Sequence, residues 1–179
     1  MGGHPVTMPK GDIRPTSERI REALFSSVAD ILPGARVLDL FAGSGVLGLE
    51  ALSRGAHVVW WVEKNDRTVK FLRQSVRGMT RDVGAETRVV RADVGGFLGT
   101  AGESDKAGPF DLVLADPPYD KKWAAKLLPG LEGGDILKRG GLLVLEQSAR
   151  ETVLEPEGWG LLRNKSYGDT RLLHYRLSE

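Results

Sequence analysis

The chain has 179 residues and a mass of 19.5 kDa, with 41% hydrophobic and 27% charged residues and a mean hydropathy of -0.21. That suits one water-soluble globular domain with its own core, and excludes a disordered or fibrous chain. There is no cysteine, so disulfides, thiolate metal sites and cysteine nucleophiles are excluded, and 25 basic against 24 acidic residues leave a net charge of +1.

At that charge a nucleic-acid partner has to be met by a local patch, because there is no bulk field to recruit it. His4, His57 and His174 are scattered, without metal-ligand spacing, so no metal is expected and His57 and His174 read as structural. The longest apolar runs, such as Val58–Val62, are too short to cross a bilayer, and the N-terminus MGGHPVTMPKGD lacks the apolar core of a signal peptide. A cytoplasmic monomer is the simplest expectation.

Residues 1–13 read as a flexible, Gly/Pro-containing segment, and 14–179 as a single domain. Pro15-Thr16 predicts a helix start, with Ile20, Leu24, Val28 and Ile31 on one face. After Pro33-Gly34 strands and helices alternate. Arg36–Phe41 reads as a strand, Gly43–Gly48 as a glycine-rich turn, and Val46–Arg54 as a helix closed by Gly55. Val58–Val62 is the next strand, Asp66–Arg77 a helix with Val69, Leu72 and Val76 inward, and Arg88–Val90 a third strand. A polar connection at Gly99–Pro109, expected to be mobile, leads to the strand Phe110–Ala115. A helix near Trp123–Leu128 and a strand at Leu142–Glu146 follow. Gly160–Asn164 and Arg171–Leu177, joined across Tyr167-Gly168-Asp169, predict a closing hairpin. The pattern implies an α/β fold: a mostly parallel sheet with helices on both faces and antiparallel strands at one edge.

Gly43-Ser44-Gly45-Val46-Leu47-Gly48 is a GxGxxG between a strand and a helix, and Glu63 follows Gly43 by 20 residues at the end of the next strand. That order predicts a nucleotide-like ligand, with the acid placed for ribose hydroxyls. The bland alternative is a turn that needs glycine for sterics alone. Asp39 weighs against a nicotinamide dehydrogenase. It sits inside VLDLF, where burying a carboxylate is costly unless a cation or donors meet it, and it would repel a pyrophosphate. S-adenosylmethionine brings an ammonium, a sulfonium and a ribose instead. Asp93 can accept from the adenine amino group, or can simply cap a helix starting at Val94.

Asp116-Pro117-Pro118-Tyr119 leaves the carboxyl end of the fourth strand, where open α/β sheets bind ligands. The prolines fix torsions and remove two donors, so Asp116 and the Pro117 carbonyl can act as a rigid acceptor pair. An exocyclic amino group held by both hydrogens has its lone pair directed for attack on a methyl group, and Asp116 can take up the released proton. Tyr119 would stack on the extruded base. The bland reading is a strand-ending turn with a packed tyrosine. Methylation at pyrimidine C5 needs a covalent nucleophile, which a chain without cysteine does not supply in the usual form.

Together RPTSERIREALF, VLDLFAGSGVLGLEALSRGA, VLADPPY and the tail YGDTRL resemble the bacterial 16S rRNA guanine-N2 methyltransferase family, from about Arg14 to Leu177. DPPY alone is shared with adenine-N6 DNA methyltransferases. The resemblance implies a Rossmann-like class I fold with a seven-stranded sheet, S-adenosylmethionine as cofactor, and guanine N2 in rRNA of a small-subunit particle as acceptor. On this resemblance Asp39, Phe41, Ala42, Gly43, Ser44, Gly45, Glu63, Lys64, Asp93 and Asp116 line the cofactor site. Asp116, Pro117, Pro118 and Tyr119 form the catalytic segment, and Arg14, Thr16, Arg19 and Arg21 match the N-terminal signature. Those arginines, with Lys121 and Lys122 after DPPY, are the predicted RNA contacts, although a solvated face would look the same. The family's basic segment before RPT, of the RIIGGxxRGR kind, is not reproduced by MGGHPVTMPKGD. The other readings are a DNA adenine methyltransferase and a non-catalytic RNA-binding assembly factor.

Overall fold

The computed structural model describes residues 18–79, 84–100, 108–119, 121–132 and 136–179. The predicted flexible segment, Arg14, Thr16 and the centre of the Gly99–Pro109 connection lie outside these residues. In chain order the elements are α1 (Glu18–Ser27), β1 (Arg36–Leu40), α2 (Val46–Ser53), β2 (Val58–Glu63), α3 (Asp66–Met79) and β3 (Glu86–Arg91). They continue with α4 (Val94–Thr100), β4 (Phe110–Ala115), α5 (Ala124–Glu132), β5 (Leu137–Ser148), β6 (Trp159–Tyr167) and β7 (Thr170–Leu177).

The seven strands form one sheet in the order β3-β2-β1-β4-β5-β7-β6. The first five are parallel, β7 runs antiparallel to β5, and β6 antiparallel to β7. This is the Rossmann-like methyltransferase arrangement. From β1 the chain winds outward through β2 and β3, then returns to place β4 on the other flank of β1. The gap between the carboxyl ends of β1 and β4 is therefore the switch point of the sheet, where such folds bind ligands.

Alternation along the strands divides the core into two layers. Val37, Val59, Trp61, Leu112 and Leu114 pack with Leu24, Phe25, Leu47 and Leu72 from α1, α2 and α3. Leu38, Leu40, Trp60 and Val113 pack with Val94, Phe97, Leu127 and Leu131 from α4 and α5. Both faces being covered explains why β1, β2 and β4 read as nearly unbroken apolar runs. At the lower end of the sheet Asp111 ties three strands together. It accepts the Arg36 backbone N–H at 2.8 Å and the Lys138 ammonium at 2.6 Å.

Several boundaries differ from the sequence expectation, each for a physical reason. Helix α1 stops at Ser27, whose hydroxyl bonds back to the Leu24 carbonyl at 2.6 Å; Val28 and Ile31 pack from the following turn. Helix α4 forms despite Gly95, Gly96 and Gly99, each costing about 0.5–1 kcal/mol against alanine. Burial of Val94 and Phe97 and a side-chain cap at Asp93 outweigh that cost. Helix α5 runs through Pro129, because Leu131 is buried beyond it. Strand β5 begins five residues early, at Leu137. Gly140 takes φ 73° beside a register shift opposite Phe110/Leu112, and that irregularity hides the strand from a pattern of alternation.

Candidate active site

The first half of the site is the corner between β1 and α2. Gly43 and Gly45 adopt left-handed backbone, φ 53° and 78°, which reverses the chain within a few residues. A side chain at Gly45 would strike Leu72, and one at Gly48 would strike the Trp61 indole. Trp61 in turn donates its indole N–H to the Gly45 carbonyl at 3.2 Å. The glycine spacing is thus required by packing against β2 and α3 as well as by the turn. Phe41 also has positive φ, 61°, an uncommon and strained state for a residue with a side chain. It lies at the strand end where the ligand is expected, and its ring meets Trp123 edge-on at 4.6 Å between centroids.

Each acid predicted on this side is attached to backbone amides. Asp39 is 1% exposed and accepts the Gly48 N–H at 2.9 Å. Burial pushes its carboxyl well above the usual carboxylate range; the Gly48 bond pulls the other way, and the charges of Asp116 and Glu63 add to the rise. Glu63 accepts Gly43 N–H at 3.0 Å and Asn65 N–H at 2.8 Å, holding the glycine loop to the end of β2. Asp93 caps α4 by accepting Gly95 N–H at 3.0 Å, the bland role weighed for it, and stands exposed at the end of β3. Ala42 and Ser44 are buried within the loop, and Lys64 is exposed beside it. Asp39, with the charges of Asp116 and Glu63 close by, marks a corner short of positive charge. A ligand carrying a sulfonium and an ammonium fits that need, and a pyrophosphate does not.

The second half leaves β4. Leu40 and Ala115 are partners in the sheet, so Phe41 and Asp116 emerge side by side across the switch point. Asp116 is half-buried, Pro117 buried and Pro118 exposed. Tyr119 is half-buried; its phenol donates to Glu146 Oε1 at 3.0 Å and lies 2.8 Å from Thr170 Oγ1. Burial, above all, raises the phenol pKa from its ordinary value.

The predicted RNA contacts are more dispersed. Lys121 and Lys122 are exposed directly beyond the Asp116–Tyr119 segment, Lys122 with φ 49°. Arg19 is exposed and Arg21 half-buried on α1, which packs on the α2–α3 side of the sheet. Among the described residues no three His, Asp or Glu side chains gather to hold a metal, and no helix is long and apolar enough to cross a membrane. The sequence did not single out Trp123, Glu146 or Thr170, which touch Phe41 or Tyr119.

Comparison with known proteins places the chain in a family and supports the fold. The family model described as conserved hypothetical protein 95 matches residues 1–176. Ribosomal RNA small subunit methyltransferase D of Escherichia coli strain K12 is 34% identical over 166 residues, covering 92% of this chain and 78% of that protein. The protein of the same name from Haemophilus influenzae is 31% identical over 173 residues, 97% of this chain and 86% of its own length. Among solved structures, Escherichia coli yhhF, described as a candidate methyltransferase, superposes with a TM-score of 0.84 at 30% identity, covering 98% of this chain and 93% of that one.

Proposed function

The chain belongs to the conserved hypothetical protein 95 family of S-adenosylmethionine-dependent class I rRNA methyltransferases, and from this premise we propose that it methylates the exocyclic N2 of one guanine in 16S rRNA. The substrate is a small-subunit assembly particle, met by the monomer in the cytoplasm. One observation carries the reading: the glycine loop and the Asp116–Tyr119 segment leave neighbouring strands in register, Leu40 beside Ala115.

Asp39, Glu63 and the loop from Phe41 to Gly45 hold the donor. Asp39 would hold its cationic methionine end, Glu63 its ribose, and Asp93 its adenine. Bound there, S-adenosylmethionine would supply an electrophilic methyl carbon on its sulfonium, the C–S bond electrons remaining with sulfur. The Asp116 carboxylate and the Pro117 carbonyl accept the two N2 hydrogens, which turns the nitrogen lone pair toward the methyl carbon. Alignment of this kind accounts for up to about 7–11 kcal/mol of a barrier. As the N–C bond forms, nitrogen becomes cationic, and Asp116 accepts the proton it releases. Tyr119 stacks on the extruded guanine, a contact worth about 1–3 kcal/mol. Lys121 and Lys122, with Arg14, Thr16, Arg19 and Arg21, meet phosphates around it.

The test is transfer of labelled methyl to small-subunit particles lacking the mark, followed by digestion to nucleosides. Label in N2-methylguanosine is expected; label in N6-methyladenosine or a pyrimidine would overturn the proposed acceptor. Asp116→Ala should lower turnover at least 100-fold while cofactor affinity stays within a few-fold. Full turnover in that variant would remove Asp116 from the chemistry.

A further inference from the structure

Glu146 and Thr170 belong to neither the donor loop nor the acceptor pair, yet both hold the last residue of the catalytic segment. Glu146 is 5% exposed and Thr170 9% exposed. The Tyr119 phenol lies 3.0 Å from Glu146 Oε1 and 2.8 Å from Thr170 Oγ1. A directed chain links the three groups: the threonine hydroxyl donates to the phenol oxygen, and the phenol donates to Glu146 Oε1. Keeping a carboxylate in so closed a place costs desolvation, which packing alone does not require.

Sheet register explains how the three meet. Ala115 pairs with Leu145, so Asp116 and Glu146 stand on neighbouring strand ends. Glu146 pairs with Leu172 on β7 and Ser148 with Thr170, which brings the first residue after the terminal hairpin turn up to the same corner.

We infer that Glu146 and Thr170 are positioning residues that clamp the Tyr119 phenol and so set the plane of the ring against which the extruded guanine stacks. The inference rests on the proposed contact between Tyr119 and the base. The phenol oxygen lies on the axis of the second side-chain torsion, so its position settles the first, while the O–H, which prefers the ring plane and is aimed at Glu146 Oε1, orients the second before the substrate arrives. Ordering that precedes binding is not subtracted from binding, so the clamp acts on RNA and leaves the donor alone. The antiparallel hairpin thereby takes part in the site, since β7 supplies one jaw.

The experiment measures kcat and KM on small-subunit particles, and donor affinity by calorimetry, for Tyr119→Phe, Thr170→Val, their double variant, Glu146→Ala and Glu146→Gln. Tyr119→Phe and Thr170→Val should each lower kcat/KM about 10-fold, chiefly through KM, with donor affinity unchanged. The double variant should be no worse than Tyr119→Phe, since the threonine then has no phenol to hold. Glu146→Gln, whose amide oxygen still accepts, should recover most of what Glu146→Ala loses. Additive effects in the double variant, or wild-type kinetics in Tyr119→Phe, would overturn the clamp. So would a Glu146→Ala loss that is wholly accounted for by the unfolded fraction. If the wild type methylates no RNA, the proposed function fails instead, and the clamp is judged by crystal structures. One Tyr119 ring orientation in the wild type and several in Thr170→Val supports it; one orientation in both overturns it.

Discussion

The two halves of the site are held together in different ways. On the β1–β3 side every acid is bonded to main chain: Asp39 to Gly48, Glu63 to Gly43 and Asn65, Asp93 to Gly95. On the β4–β7 side the bonds run between side chains, Tyr119 to Glu146 and Thr170. Main-chain amides cannot be re-chosen by mutation, so the donor half is rigid and sensitive to backbone geometry. Side-chain partners can be exchanged one at a time. Substitution in that half is expected to change affinity for the acceptor before it changes the fold.

Glycine substitutions give the largest expected contrast. Gly45→Ala puts a methyl group into Leu72 at a left-handed residue, so strain and overpacking add to a loss of about 2–5 kcal/mol in denaturant unfolding. Gly130→Ala, on α5, meets Leu98, whose flexible end lies 2.9 Å away and whose Cβ, at 3.3 Å, must give by a few tenths of an ångström. That side chain can turn aside, and alanine gains about 1 kcal/mol of helix propensity, so the net change should stay within about 1 kcal/mol. Equal losses at the two positions would erase the distinction between the halves.

Asp39→Asn tests the same distinction through charge. Asp39 is pushed up chiefly by burial, so its ionised form disfavours the empty fold, and the penalty grows as pH rises through the shifted pKa. The amide removes that penalty. The donor-free variant should therefore be more stable than wild type at pH values above the ordinary carboxylate range, while donor affinity, measured by calorimetry, falls at least 10-fold. A variant that keeps its donor affinity and loses stability would show that Asp39 serves the fold alone.

The same contrast decides what could be read in the chain. Asp39 and Gly48 are nine residues apart, and Glu63 and Gly43 twenty. A strand, turn, helix and strand in that order bring such pairs together by local rules, so the donor half was legible. Tyr119 is 27 residues from Glu146 and 51 from Thr170, and their meeting depends on β7 inserting beside β5. No local pattern encodes that insertion. A signal was nonetheless present, because the cost of a carboxylate in an apolar run, which singled out Asp39 in VLDLF, applies equally to Glu146 in LLVLEQS. Helix α4 was legible only through Asp93 as a cap, because its glycines lower its propensity and tertiary packing overrides them.

His174 on β7 is the mildest probe and lies outside the chemistry. It is buried, its Nε2 is 2.7 Å from the Ser27 hydroxyl of α1, and burial, helped by Arg163, lowers its pKa to about 4. The folded protein thus holds the neutral ring, while the unfolded chain takes up a proton near pH 6.5. Stability from this residue is complete above pH 6.5 and is lost as pH falls toward 4, by at most about 3 kcal/mol. In His174→Gln the melting temperature should fall less steeply over that interval. Donor affinity at neutral pH should be unchanged, because the β5–β7 side fails without disturbing the amide-bound acids of the β1–β3 side. If acid unfolding were equally steep in both proteins, the proton would enter elsewhere. If donor affinity fell with His174→Gln, the two halves would be coupled through the sheet more tightly than their separate bonding implies.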